Sequence, residues 1–400
     1  MLASDRYTNM IYLDNSATTQ VRPEVIDAML PYMSRSWGNP SSIHALGRDA
    51  KDAVTQAREH VAALLNCDAD EIYFSSCGTL SNNCALLGRA RFAQANDKGR
   101  HLITTRIEHP SVAGPCQYLE SQGWKVTYLP VNREGFVSLK DLEAQTTSET
   151  SIISIMWANN EIGTVQDIAS FARFASERNI FFHTDAVQAA GKIPIDLKSL
   201  PISSLSLSGH KFHAPKGVGI LYVRKLQNIM PIVFGGGQEM GVVPGTEGLS
   251  NIVAIGKAAE LAGREMNQNR EKLLAISKLF KQHLSQVDGL IFTGASLLTQ
   301  RLPGHVSFVL PGLEGEAIVM RADLKGLCIS SGSACHKGII EPSSVLKAVG
   351  LSDQQAKASI RLSASSFNTL DECTEAIELL AKILNAMKLS SDAGLSGAIA

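Results

Sequence analysis

Between residues 20 and 250 the chain alternates short, β-rich apolar runs with amphipathic stretches of helical period, the pattern of a parallel sheet wrapped by helices. The spacing predicts strands at Glu71–Phe74, His101–Thr104, Lys125–Leu129, Ile152–Met156, Ile180–His183, Ser203–Ser208 and Gly219–Val223. Helices are predicted between them at Ala50–Leu65, Ser81–Phe92, Val112–Gln122 and Ile168–Arg178. The glycines 235–237 after Phe234 break the pattern, and a long helical run from Asn251 to Val287 follows. The remainder reads as a smaller α+β unit, with strands near Val306–Val309 and Ile360–Leu362 and a last helix at Leu370–Met387. The expected fold class is α/β, a large unit with a mainly parallel seven-stranded sheet plus a smaller α+β unit. Residues 1–20 are expected to pack with the small unit, 21–250 to form the large unit and 251–400 the small one.

Four hundred residues suit two packed domains sharing a cleft. Hydrophobic and charged contents of 44% and 19% are those of an ordinary globular protein. A net charge of −1 supplies no global field toward nucleic acid or an anionic membrane, so direct binding to either is not expected. Apolar runs such as 152–158 fall far short of the roughly 20 residues that span a bilayer. The N-terminus has no apolar core of a secretory signal. Seven cysteines, an odd number without CxxC spacing, speak against a disulfide framework or a zinc site and favour a reducing cytoplasm.

Ligands of open parallel sheets sit beyond the carboxyl ends of the strands. Several predicted strands here end in chemically useful residues: Ser-Ser-Cys-Gly78-Thr79, Glu108-His109, Asn159-Asn160-Glu161, Asp185-Ala-Val-Gln188 and Ser208-Gly-His210-Lys211. Singly, each has an ordinary reading as a turn, a cap or a solvated side chain. Together they match the needs of pyridoxal 5'-phosphate: a lysine for covalent attachment, a carboxylate against the ring nitrogen and a phosphate cup. A flat group over the ring and a donor to the phenolic oxygen complete that set. Lys211, Asp185, the Gly78-Thr79 turn with Ser208 and His210, His109 and Gln188 fill these roles.

The runs Phe182-His-Thr-Asp185-Ala-Val-Gln188 and Ser208-Gly-His-Lys211-Phe-His-Ala-Pro-Lys-Gly217 resemble the cysteine desulfurases of the NifS/IscS type, class V members of the pyridoxal-phosphate aminotransferase fold. The resemblance spans nearly the whole chain. It takes in Tyr12-Leu-Asp-Asn-Ser-Ala-Thr-Thr19, Gly38-Asn-Pro-Ser-Ser-Ile-His44, Ile155-Met-Trp-Ala-Asn-Asn-Glu-Ile-Gly163, Gly235-Gly-Gly-Gln-Glu239, Ser330-Ser-Gly-Ser-Ala-Cys335 and Ser359-Ile-Arg-Leu-Ser363. It implies that Lys211 carries the cofactor, that His109 stacks on its ring and that Asp185 pairs with the ring nitrogen. It puts Asn160 and Gln188 near the phenolic oxygen and substrate, and Gly78, Thr79, Ser208 and His210 on the phosphate. Thr246 then reaches that phosphate from the second subunit of a homodimer, and Arg361 binds the carboxylate of L-cysteine.

The composition of residues 330–338, small, polar and glycine-containing, predicts an exposed mobile loop within a catalytic segment of about 328–340. Cys335 there is followed by His336 and Lys337, which favour the thiolate. The resemblance implies that this thiolate attacks the sulfur of cofactor-bound cysteine, so that alanine leaves and a persulfide remains. The sulfur goes on to an acceptor or scaffold protein serving iron–sulfur assembly, tRNA thiolation or DNA sulfur modification. No resident metal is expected, with Cys335 at most a transient cluster ligand. Three places depart from the family pattern. Met240 and Val243 stand where arginines are common, Cys77-Gly-Thr-Leu80 replaces Gly-Ala-Thr-Glu, and Ala364-Ser-Ser366 replaces Leu-Gly-Arg. These departures leave open a preference for selenocysteine or another β-substituted amino acid, and a catalytically weak docking partner as the non-enzymatic alternative.

Overall fold

The computed structural model describes residues 10–332, 334–336 and 339–396, with the backbone alone described at 334–336, 339–341 and 391–396. From the N-terminal side, β1 (Ile11–Tyr12) is followed by α1 (Pro23–Ser34) and α2 (Ala45–Leu65). His44 caps α2 by accepting from Gly47 N, and Asn66 ends it in the left-handed conformation that asparagine tolerates. The large sheet builds from β2 (Ile72–Ser75), β3 (His101–Thr105), β4 (Lys125–Leu129), β5 (Thr150–Ser154), β6 (Phe181–Asp185), β7 (Ser204–Ser208) and β8 (Gly219–Val223). Helices α3 (Gly78–Ala95), α4 (Pro110–Ser121), α5 (Leu139–Gln145) and α6 (Ile168–Glu177) lie between these strands in sequence. The spatial order is β2-β8-β7-β6-β5-β3-β4, and only β8 runs antiparallel to its neighbours. Strands β3, β5, β6, β7 and β8 are buried at every position, which is why they read as apolar or small runs rather than alternating ones.

The second half of the described chain runs α7 (Leu249–Leu284), β9 (Ile291–Phe292), β10 (His305–Val309), α8 (Gly315–Asp323), β11 (Leu327–Cys328) and β12 (Ser330–Ser331). It continues with β13 (Ala334–His336), β14 (Ile339–Glu341), α9 (Ser344–Ala348), α10 (Asp353–Lys357), β15 (Ser359–Ser363) and α11 (Leu370–Ser396). Strands β12-β15-β10-β9 form an antiparallel sheet. The N-terminal segment joins this unit: β1 pairs with β11, Asp14 bridges to Ser363, and Leu13 is buried in the small core. The expected division at residue 250 falls at the start of α7. Ile252 to Leu261 of that helix pack in the large core, and Leu273 to Leu284 in the small one.

One sequence expectation changes in detail. Helix α3 begins at Gly78, not Ser81, so Thr79 lies within its first turn. Within the segment expected as a mobile loop, β13 and β14 pair antiparallel, Cys335 opposite Ile340.

Helices α2 and α7 touch backbone to side chain: a Cβ added at Gly256 would lie 2.5 Å from Ala57 Cα. Gly256→Ala must therefore push the helices apart, and it is expected to lower unfolding stability by about 1–3 kcal/mol, read from the urea midpoint.

Candidate active site

The carboxyl ends of β2, β6 and β7 and the turns after β3 and β5 open into one cleft of about 230 Å3. Gly78, Thr79, His109, Asn160, Asp185, Gln188, Ser208, His210 and Lys211 all line it, together with Cys77, Ser111, Met156, Ala158 and Val187. Nine of the residues singled out from the sequence thus converge. The separate strand ends meet because parallel strands finish on one edge of the sheet.

Helix α3 starts at the cleft without a side-chain cap, so the free N–H groups of its first turn and its dipole are of the kind that suits an anion. Glycine at its first position allows a close approach. A Cβ on Gly78 would meet Val187 Cγ2 at 3.0 Å and Ser208 Cβ at 3.2 Å. His210 flanks the cup and hydrogen-bonds Thr18 Oγ1 through Nδ1 at 3.2 Å; burial pushes its imidazole down to about 4.

Lys211 follows β7 in a short helical turn, and its Nζ donates to the carbonyls of Ser16 (2.7 Å) and Ala17 (2.6 Å). Burial, aided by the nearby Arg361 cation, lowers this amine to about 8, although Asp14 and Asp185 pull the other way. About a tenth of it is therefore the free base near neutrality. Asp185 ends β6, and Asn82 Nδ2 and Val187 N hold its carboxylate at 2.8 and 3.0 Å. His109 caps α4, and its Nδ1 accepts from Ser111 N at 3.1 Å, which places the proton of the neutral ring on Nε2. Packing on the protein side lowers its pKa, against the attraction of Asp185.

Two predicted residues stand outside the cleft lining. Arg361, on β15, lies behind Asn160: it donates to Asn160 O at 3.0 Å and pairs with Asp14 Oδ1 at 2.6 Å, while its buried Nε has no partner. Thr246 lines a different cavity of the same chain, with Ser76, Leu80 and Val243. The side chain of Cys335, and Lys337, lie outside the described residues. What is described is the anchoring of the segment that bears Cys335. On one side β12 pairs with β15, Ser330 opposite Arg361. On the other, Ser343 caps α9 and donates to Glu161, the neighbour of Asn160. Burial raises the Glu161 carboxyl.

Sequence reasoning missed the support behind the cleft. Asn82 ties Asp185 to Ser111 Oγ (2.8 Å) and to His183 Nε2 (3.0 Å), and Lys192 sits behind Gln188. A signal for Asn82 was present, because it stands one helical turn after Gly78 and so shares its face. The departures at Leu80 and Val243 coincide in space: both pack on one apolar cluster with Cys84, Ala85, Leu221 and Val223. Met240 is exposed.

Residues 11–375 match the family model described as aminotransferase class-V. A curated relative, cysteine desulfurase IscS of Clostridium botulinum, is 43% identical over 376 residues, covering 94% of each chain. Among solved structures, a NifS-like protein superposes with a TM-score of 0.87 at 35% identity, covering 94% of this chain and 99% of that one. A structure described as SspA in complex with cysteine gives 0.77 at 35% identity, covering 90% and 99%. The fold is that of the class-V aminotransferases, an α/β architecture built around a mainly parallel sheet. The chain belongs to the aminotransferase class-V family, in its cysteine desulfurase branch, a pyridoxal-phosphate-dependent lineage. No helix among the described residues is long and apolar enough to cross a membrane.

Glu108, next to His109, is fully enclosed; Thr105 Oγ1 and Met156 N donate to Oε1 at 2.9 and 2.8 Å, and Oε2 has no partner. Burial raises its carboxyl from 4.5 to about 8. The folded state thus holds a proton that the unfolded chain releases, so the stability linked to Glu108 is full in acid and is lost as pH rises through 8. Glu108→Gln is neutral throughout. Its urea midpoint is expected to fall less than that of the wild type between about pH 5 and about pH 8.

Proposed function

We propose that the chain withdraws sulfur from L-cysteine, releases L-alanine and holds the sulfur as a persulfide on Cys335 for an acceptor protein. The observation that carries this reading is a desolvated amine, Lys211, in the same cleft as the tethered carboxylate of Asp185 and an uncapped helix start. These groups fit pyridoxal phosphate. The phosphate belongs at the α3 start with Thr79, Ser208 and His210, and, in a homodimer, Thr246 of the second copy. Asp185 suits the ring nitrogen and His109 a ring face, while Gln188 and Asn160 suit the phenolic oxygen. Lys211 is the attachment point. When bound, the cofactor supplies an electron sink for charge developing at the substrate α-carbon.

The chain's own groups divide the remaining work. A Lys211 Nζ that is partly free base near neutrality takes and returns a proton. Arg361 is the cation assigned to the substrate carboxylate, and Asp14 and the Asn160 carbonyl fix its guanidinium plane. Met156 and Ala158 supply apolar lining. The Cys335 thiolate forms a new S–S bond to the substrate sulfur as the substrate C–S bond breaks. The released electron pair stays with the carbon skeleton, which takes up a proton and departs as alanine. One cysteine and one enzyme thiol give one alanine and one enzyme persulfide.

Reconstituted protein given L-cysteine and a thiol reductant is expected to release sulfide and alanine in equal amounts. Lys211→Ala should lose the absorbance band near the visible edge and at least about a thousandfold in turnover. Cys335→Ala should keep the band and lose sulfide release. Wild-type sulfide release by Cys335→Ala would overturn the persulfide assignment, and a wild-type protein without the band after adding pyridoxal phosphate would overturn the whole reading.

A further inference from the structure

Among the described residues Lys192 is an amine without a carboxylate partner. Its Nζ folds back on its own turn and donates to the main-chain carbonyl of Gln188 at 3.3 Å and to Gln188 Oε1 at 3.0 Å. Gly191 makes the turn possible: its φ is +69°, and a Cβ there would lie 2.9 Å from Phe212 Cβ, next to Lys211. Burial, with the cations of Lys211 and Arg361, pushes Lys192 down to about 7. The imidazoles of His210, His213 and His305 also feel its charge. Lys192 is only partly buried, yet its amine turns inward onto Gln188, a placement that packing alone does not require.

We propose that Lys192 is a positioning residue that locks the Gln188 amide, so that Gln188 presents N–H rather than C=O to the cofactor's phenolic oxygen. The orientation is fixed from both ends. Ser16 O, a carbonyl, can face only the amide nitrogen, and Gln188 Nε2 donates to it at 2.9 Å. Lys192 Nζ donates to the amide oxygen, and in its ammonium form it has no lone pair with which to accept from the amide nitrogen. Gln188 is buried and lines the cleft, and its amide nitrogen keeps a second hydrogen for a ligand. Ser16 O also accepts from Lys211 Nζ, so one carbonyl sets both cofactor-facing groups. The placement of Gln188 at the phenolic oxygen rests on the function proposed above.

The test is a pH titration of the visible absorbance band of the cofactor-loaded protein. Loss of an oriented donor to the phenolic oxygen raises the midpoint, and so does loss of a neighbouring cation. Lys192→Met is expected to move the midpoint up by about one unit, and Lys192→Arg to restore most of it. Gln188→Leu separates the two causes. If Lys192 acts through Gln188, adding Lys192→Met to Gln188→Leu moves the midpoint no further. An unshifted midpoint in Lys192→Met that retains its band overturns the inference, as does a full additional shift in the double variant. A wild-type protein with no band overturns the parent function and this inference with it.

Discussion

An amine taken out of water must still place its hydrogens, and that requirement organises this molecule. Lys211 meets it with two main-chain carbonyls, Ser16 and Ala17, from a stretch far away in sequence. That stretch is tied at both ends. On one side β1 pairs with β11 at Cys328, and Asp14 joins the small sheet through Ser363 and Arg361. On the other, Thr19 N donates to His210 O at 2.8 Å, and Thr19 Oγ1 receives His213 N at 2.7 Å. A few N-terminal residues therefore join two hydrophobic cores at the point where the chemistry is proposed.

The same logic of unpaired groups runs outward from the cleft. Asp185 is held by Asn82, Asn82 by His183, and His183 by Ser204 at 2.8 Å, a chain of buried polar residues crossing from α3 to β6 and β7. Each member satisfies the next, so the carboxylate keeps one orientation without an arginine or lysine to neutralise it. Arg361 instead neutralises Asp14 and reaches the Asn160 turn, leaving one donor in reserve.

Much of this was legible in the sequence. The strands appear as short apolar runs because they are buried on both faces, and residues at their ends converge because parallel strands share an exit edge. The Lys211, Asp185 and His109 motifs therefore translated directly into a cleft. What stayed hidden has no local pattern. Lys192 reads as a surface charge until the fold turns its amine onto Gln188, and Ser16 and Ala17 act through carbonyls that every residue possesses. The start of α3 was misplaced because glycine and threonine at 78 and 79 look like a turn. The role of glycine there is close approach to Val187 and Ser208, which only the tertiary structure reveals.

The replacements at Leu80 and Val243 carry a consequence of their own. Where the family pattern has side chains of opposite charge, this chain places two hydrocarbon groups on a shared cluster. Ionic contacts weaken as added electrolyte shortens the Debye length, whereas hydrocarbon contacts are indifferent to that screening and lose strength on cooling instead. The rim beside Thr246 thus answers to temperature rather than to ionic strength, a different physical dependence grafted onto an otherwise shared architecture.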